Sequence, residues 1–412
     1  MISLAEDAIE SRALMRILFT FAGGSGHLEP LVPIARAAEA VGHVVAFAGR
    51  PWMIPVVEAL GFLAFAAGSD VGLTPKRLPL AAIDVERDIR SVGPGFGRRI
   101  AGERASDLLR LCSDWRPDIL VCEELDFGAM IVAERLELPF ATVLVSAAGS
   151  FVRAELVAES VNAVRAGHGL PPDPGFAMSS RHLVLSPFAP SYRDPAFPLP
   201  ATAHSVRLLT PGGGRRSDPP TVYFTLGTIF NMESGDLFQR VLAGLRDLPT
   251  QLVVTVGRDF DPAELGPQPP NVRIERYLPQ AEVLPRCDLV VSHGGSGSVT
   301  SALAHGLPMV LIPMGADQPL NAARCQALGV ARALDAVTAT PTLVHEAASL
   351  VLRDPTYRRS AERIRDEIAQ LPGPEHVTLL LERLTAGGCA RGTNPDGGVC
   401  VGNGSTRRDG GA

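Results

Sequence analysis

Short apolar runs alternate with helical patterns on one side of a glycine- and proline-rich break, and the same alternation restarts on the other side. Before the break, residues 17–22, 44–48, 119–122, 141–145 and 183–185 are apolar runs bounded by Gly, Pro or charge, and residues 31–41, 51–60 and 127–136 carry helical spacing. This alternation predicts parallel strands with helices over both faces, because a strand covered on both sides is apolar along its whole length. Pro211-Gly-Gly-Gly-Arg-Arg-Ser-Asp-Pro-Pro220 then breaks every period, as a linker does. The pattern resumes at residues 222–226, 252–256, 272–275, 289–292 and 309–312, and helical stretches near 355–370 and 376–384 close the fold. The expected organisation is a wound α/β domain over residues 15–210, a linker over 211–220, a second wound domain over 221–385 and a glycine-rich disordered tail over 386–412. The first fourteen residues are expected to be an extension without function.

Composition sets limits on partners. With 412 residues, 46% of them hydrophobic and 20% charged, the chain has apolar material for two cores and is not intrinsically disordered. Lys and Arg number 38 against 44 Asp and Glu, and no basic cluster occurs, so no nucleic-acid partner is expected. Residues 289–316 lack Lys, Arg, Asp and Glu, but His293, His305, glycines and prolines interrupt them, which predicts strand, turn and helix instead of membrane insertion. Cysteines at 112, 122, 287, 325, 389 and 400 form no C-x-x-C and no paired Cys/His spacing. The expectation is a reduced, cytoplasmic protein without structural zinc, disulfide scaffold or cationic leader.

Two glycine turns carry the chemistry. The first is Gly23-Gly-Ser-Gly-His27-Leu-Glu-Pro30, between a strand and a helix expected near Pro30. It leaves His27 at the mouth of a cleft, where an imidazole can take a proton near neutral pH. His43 is read as structural. The second is Ser292-His293-Gly-Gly-Ser-Gly-Ser298, again strand, glycine turn and helix start. There, successive backbone N–H groups and the positive helix end would cradle a phosphate. Downstream, Met309-Val-Leu-Ile-Pro-Met-Gly-Ala-Asp317-Gln318-Pro-Leu-Asn321 ends a strand in a carboxylate beside an amide, the groups that sugar hydroxyls need. Asp259-Phe-Asp261 has metal-binding spacing, but it precedes a proline-rich turn and no metal is expected there.

The run from His293 through Asp317-Gln318 to Asn321 resembles the donor-binding signature of family 1 glycosyltransferases of the GT-B fold. Phe224-Thr-Leu-Gly-Thr228, Asp261-Pro-Ala-Glu-Leu-Gly266, Tyr277-Leu-Pro-Gln280 and Gly26-His27-Leu-Glu-Pro30 match that family in order, so the resemblance spans about residues 15–385. It is nearest to actinomycete enzymes that glycosylate polyketides, macrolides or enediynes, the calicheamicin type among them. The resemblance implies two Rossmann-like domains with parallel sheets facing across a cleft. It assigns the donor pyrophosphate to His293, Gly295, Ser296, Gly297 and Ser298 with Thr228 opposite, the base to Tyr277 and Leu278, and the donor sugar to Asp317 and Gln318. Ser301 stands where many members have a ribose-gripping Glu. His27 is implied as general base, with Glu123 as its carboxylate partner, while Glu124 and Asp126 remain alternatives.

The implied reaction is metal-independent, inverting transfer of a deoxysugar from a thymidine diphosphate donor to a hydroxyl of a hydrophobic small molecule, without a cofactor. Acceptor contacts are expected from residues 70–99 and 146–192; a homodimer stays open. A nicotinamide oxidoreductase also uses two wound domains, but Glu29 occupies the last position of G-x-G-x-x-G. A non-catalytic partner of another transferase has no need of His27 or of the complete run from His293 to Gln318.

Overall fold

The computed structural model describes residues 14–70, 78–213, 217–227 and 230–392. Two parallel sheets form. The first contains β1 (Arg16–Thr20), β2 (Val44–Gly49), β3 (Leu63–Ala66), β4 (Ile119–Glu123), β5 (Phe140–Val143), β6 (Leu183–Ser186) and β7 (Ala203–Ser205), in the order β3-β2-β1-β4-β5-β6-β7. The second contains β8 (Thr221–Thr225), β9 (Gln251–Thr255), β10 (Val272–Glu275), β11 (Leu289–Ser292), β12 (Met309–Leu311) and β13 (Ala331–Ala333), in the order β10-β9-β8-β11-β12-β13.

Both sheets are buried on both faces, which is why their central strands carry consecutive apolar residues, with polar ones at their ends. Ile17 and Phe19 of β1 pack with Leu31, Ile34 and Ala35 on one face, and Leu18 packs with Ala105, Leu108 and Met130 on the other. The register sets Ile17 beside Val45 and Ile119, and Ser292 beside Thr225 and Leu311. In each sheet the connections leave two neighbouring strands in opposite directions, β1 and β4 in the first and β8 and β11 in the second. That reversal opens a crevice at the strand C-termini, the usual place for a ligand.

Strands β3, β7 and β13 were not among the expected runs. All are short edge strands whose side chains, Ala331 apart, are exposed or half-buried, so they carry no apolar run to read. Residues 85–99 were read as part of a glycine- and proline-rich acceptor region, yet they belong to a stretch that is helical through residue 115: Val85–Val92, a π-helical segment Gly93–Ile100, and Ala101–Trp115. The glycines of the π segment serve close packing. A Cβ on Gly93 would lie 2.5 Å from the Leu156 carbonyl of the helix Ala154–Gly167. Buried Arg104 donates from Nε to Asp126 Oδ1 at 2.8 Å and from Nη1 to the Ala67 carbonyl at 2.8 Å, which ties this helix to the sheet.

The last helix, Pro374–Gly392, returns to the first sheet, where Val377 and Leu381 join the core beneath β1. Its Glu382 lies 3.1 Å from Nε2 of buried His43, whose Nδ1 accepts from the Met15 N–H. The disordered tail expected from residue 386 therefore begins inside this helix; residues 393–412 lie outside the described residues. Among the described residues no helix is long and apolar enough to cross a membrane.

A candidate active site between the two sheets

Strand β1 ends at Thr20, and the glycine turn after it closes into a one-turn helix, Ser25–Leu28, that carries His27; the next helix starts at Val32. His27 thus stands on a hydrogen-bonded turn and not on the open loop that its glycines suggested. Its ring lies across Gly23, where a Cβ would come within 2.2 Å of Cδ2. Nδ1 sits 3.1 Å from Glu123 Oε1, the last residue of β4. The pair is within ion-pair distance. Glu123 is held from behind by the N–H groups of Ala22 at 3.0 Å and Leu125 at 2.8 Å.

The other two carboxylates of this run are engaged elsewhere. Glu124 accepts from the N–H groups of Val145 and Ser146, and Asp126 binds Arg104 and caps the helix Phe127–Arg135. Burial alone would push the pKa of His27 down, but the charge of Glu123, with smaller contributions from Asp317 and Glu124, outweighs it and leaves the value raised. Burial pushes Glu123 up, and His27 and the two amides more than reverse that, so its carboxyl is lowered.

Across the cleft, β11 delivers His293 and the helix Ser296–Ala304 follows at once. Gly295 is its N-cap and no side chain caps it. The His293 ring lies against Gly227 and Gly295, where a Cβ would come within 2.6 Å of it. Burial lowers its pKa to about 4, so the imidazole is neutral and offers a hydrogen bond without a charge. Among the described residues its Nδ1 has no hydrogen-bond partner. Gly297 is exposed and Ser298 half-buried at the helix start. Thr228, expected on the opposite side, lies outside the described residues, just after Gly227.

Tyr277 and Leu278 follow β10, at the same edge of the sheet as His293. The Tyr277 ring is 53% exposed, with the Arg258 guanidinium 5.3 Å from its centre. Asp317 precedes the helix Gln318–Ala327, and burial raises its pKa. Gln318 is buried with Oε1 accepting from the Met314 N–H at 2.8 Å, so Nε2 is the amide atom left to a ligand. Ser301 gives its carbonyl to His305 Nδ1. Asp261 caps the short helix Pro262–Leu265 and lies 3.4 Å from Arg276, which commits it to local structure.

The expected phosphate contact of Ser296 is through its backbone, and its side chain is engaged elsewhere. Its Oγ donates to Asp317 Oδ2 at 2.6 Å and accepts from the Ala147 N–H, in the loop after β5, at 2.8 Å. Asn321 completes this bridge between the sheets: Nδ2 donates to Gly294, Ser296 and Asp317, and Oδ1 accepts from the Ala148 N–H at 3.2 Å. Sequence reasoning quoted Asn321 and gave it no task; its buried amide in a polar run was the available signal. On the other rim, Asp88 accepts from the Ala316 N–H at 3.1 Å, next to Asp317.

Comparison with known proteins bears on this geometry. Residues 239–384 match a family model described as the C-terminal domain of erythromycin biosynthesis protein CIII-like proteins. The chain is 30% identical to the elloramycin glycosyltransferase of Streptomyces olivaceus, over 89% of this chain and 97% of that protein. It is 26% identical to a TDP-daunosamine transferase of Streptomyces peucetius, over 90% and 97% of the two chains. The crystal structure of the glycosyltransferase SnogD from Streptomyces nogalater superposes with a TM-score of 0.71 at 25% identity, covering 90% of this chain and all of that one.

Proposed function

The chain belongs to the actinomycete antibiotic glycosyltransferases of the GT-B fold, and from that premise we propose that it catalyses inverting transfer of a deoxysugar from a thymidine diphosphate donor to a hydroxyl of a hydrophobic natural product. The observation that carries this reading is the opposition, across one cleft, of the His27–Glu123 pair at the ends of β1 and β4 and the glycine turn with its helix start after β11.

In this reading His27 is the general base. Its Nδ1 is turned to Glu123, which leaves Nε2 to take the acceptor's proton as that oxygen attacks the anomeric carbon from the face opposite the leaving group. Glu123 orients the ring and stabilises the imidazolium that forms. The N–H groups of Ser296, Gly297 and Ser298 and neutral His293 receive the β-phosphate, where charge grows as the glycosidic bond breaks. Tyr277 stacks on the base and Leu278 meets it through its backbone; Asp317 and Gln318 hold the sugar. Thr228 belongs to the same pyrophosphate site. The helix end and these donors take up the pyrophosphate charge without a cation.

The test is product mass analysis with a panel of nucleotide sugars and aromatic or macrolide acceptors. A single sugar added to the acceptor, with β-configured product from an α-donor and turnover that survives EDTA, is the expected outcome. Loss of turnover on chelation with rescue by magnesium would reverse the metal-independent part, and retention of anomeric configuration would remove His27 from its role.

A further inference from the structure

The π-helical segment Gly93–Ile100 brings one side chain to the reacting centre. Phe96 stacks on His27 with ring centres 5.9 Å apart and planes 18° from parallel. A π-helical turn widens the helix and shifts the residues it carries, and such turns recur at functional sites. Here it is wedged in place: Gly93 meets the Leu156 carbonyl, and Gly97 meets Ser160, Val157 and Val161 at 3.3–3.4 Å of an added Cβ. The backbone that carries Phe96 is therefore held against the helix Ala154–Gly167, while Gly23 lets the imidazole lie flat across the turn.

Charged groups also act on His27. Glu123 stands at the end of β4, Glu124 in the turn after it, and Asp317 reaches over from the second sheet; Arg98 and Arg99, on the π segment itself, are exposed. Phe96 is thus the apolar, flat neighbour among carboxylates.

We propose that Phe96 is a positioning residue that acts through His27: its ring face holds the imidazole in the orientation that serves the acceptor and stabilises it once it carries the acceptor's proton. The proposal rests on the reading of His27 as base. The acceptor O–H bond breaks with its proton going to Nε2, the oxygen forms the new bond to the anomeric carbon, and the diphosphate leaves with the electron pair of the old one. The imidazolium left behind faces the negative π cloud within about 6 Å, a cation–π arrangement.

Single-turnover rates as a function of pH, at saturating donor and acceptor, test this with Phe96→Leu and Phe96→Tyr. The leucine removes the π face, so the rising limb of the profile should move down by roughly half a pH unit and the plateau should fall about two- to fivefold. The tyrosine keeps the face and should restore both. Phe96→Met, apolar and without a π face, gives the same reading should the leucine form melt early. A limb and plateau unchanged in both face-less variants overturn the proposal, as does a raised acceptor KM with the limb in place, which would make Phe96 an acceptor contact. His27→Ala in parallel separates the failures: if the limb survives in His27→Ala, it is the base assignment that falls.

Discussion

At the scale of single residues, the catalytic reading depends on His27 being neutral before it accepts a proton. Its raised pKa means that it is protonated, and idle, to higher pH than an ordinary histidine. Turnover should therefore rise with pH through a limb above 6.5. Glu123→Gln removes the charge that raises that value, so the limb should shift to lower pH while turnover falls, because a less basic imidazole is a weaker proton acceptor. His27→Ala should cost about 10²–10⁴-fold in turnover with donor affinity retained by calorimetry; loss of donor binding would assign His27 to the donor site or the fold. Gly23→Ala tests the same pair from the backbone side. A methyl group 2.2 Å from Cδ2 must displace the imidazole, so turnover should drop while nucleotide binding stays. His27 and Glu123 were legible because each ends or follows an apolar run, and a strand's C-terminal edge is where sites form. Choosing among Glu123, Glu124 and Asp126 was not possible from sequence, since Arg104 and the amides of Val145 and Ser146 engage two of them from distant parts of the chain.

At the scale of elements, legibility followed burial. The central strands β1, β4, β8 and β11 are apolar at consecutive positions because helices cover both faces, and each was read within a residue or two of its bounds. The edge strands β3, β7 and β13 lack that cover and left no run. The π segment left no helical pattern for another reason: Gly93, Pro94, Gly95 and Gly97 have loop composition, and the close approach to Leu156 that makes glycine useful in a helix is a tertiary fact. The helix Ser296–Ala304 carries the donor prediction of this scale. His293→Ala removes the hydrogen-bond group proposed to face the developing phosphate charge and should cost on the order of 10²–10³ in rate. Because burial holds His293 at a pKa of about 4, the imidazole stays neutral across the neutral range, so the size of that loss should not change between pH 6 and 8. A loss that grew toward acid pH would mean that His293 acts as a cation.

At the scale of the whole molecule, two of the links that hold the sheets in their relation bear on the site. One is covalent continuity: the chain returns from the second sheet through the helix Pro374–Gly392, whose Val377 and Leu381 are fully buried beneath β1. Truncation before residue 374 should cost roughly 3–6 kcal/mol for those two side chains, read as an earlier thermal transition. The other link is the polar bridge at the cleft. Asn321 is wholly buried, ties Ser296 and Asp317 together on its own side, and receives the Ala148 N–H from the other. Asn321→Ala leaves that N–H and the Gly294 carbonyl without partners, at about 1–3 kcal/mol for each group so orphaned. It also leaves Ser296 as the remaining side-chain donor to the Asp317 carboxylate, which loosens its setting. The phosphate-facing helix start at Ser296 keeps its backbone, so binding of a free nucleoside diphosphate should change little. The nucleotide sugar, which needs Asp317 at a fixed angle and the two sheets closed around it, should show a raised KM and reduced turnover. Measuring both ligands on the same preparation decides the matter: equal weakening of the two would show a general disturbance of the donor domain, whereas a loss confined to the sugar nucleotide is what a bridge that sets Asp317 through the opposite sheet must produce.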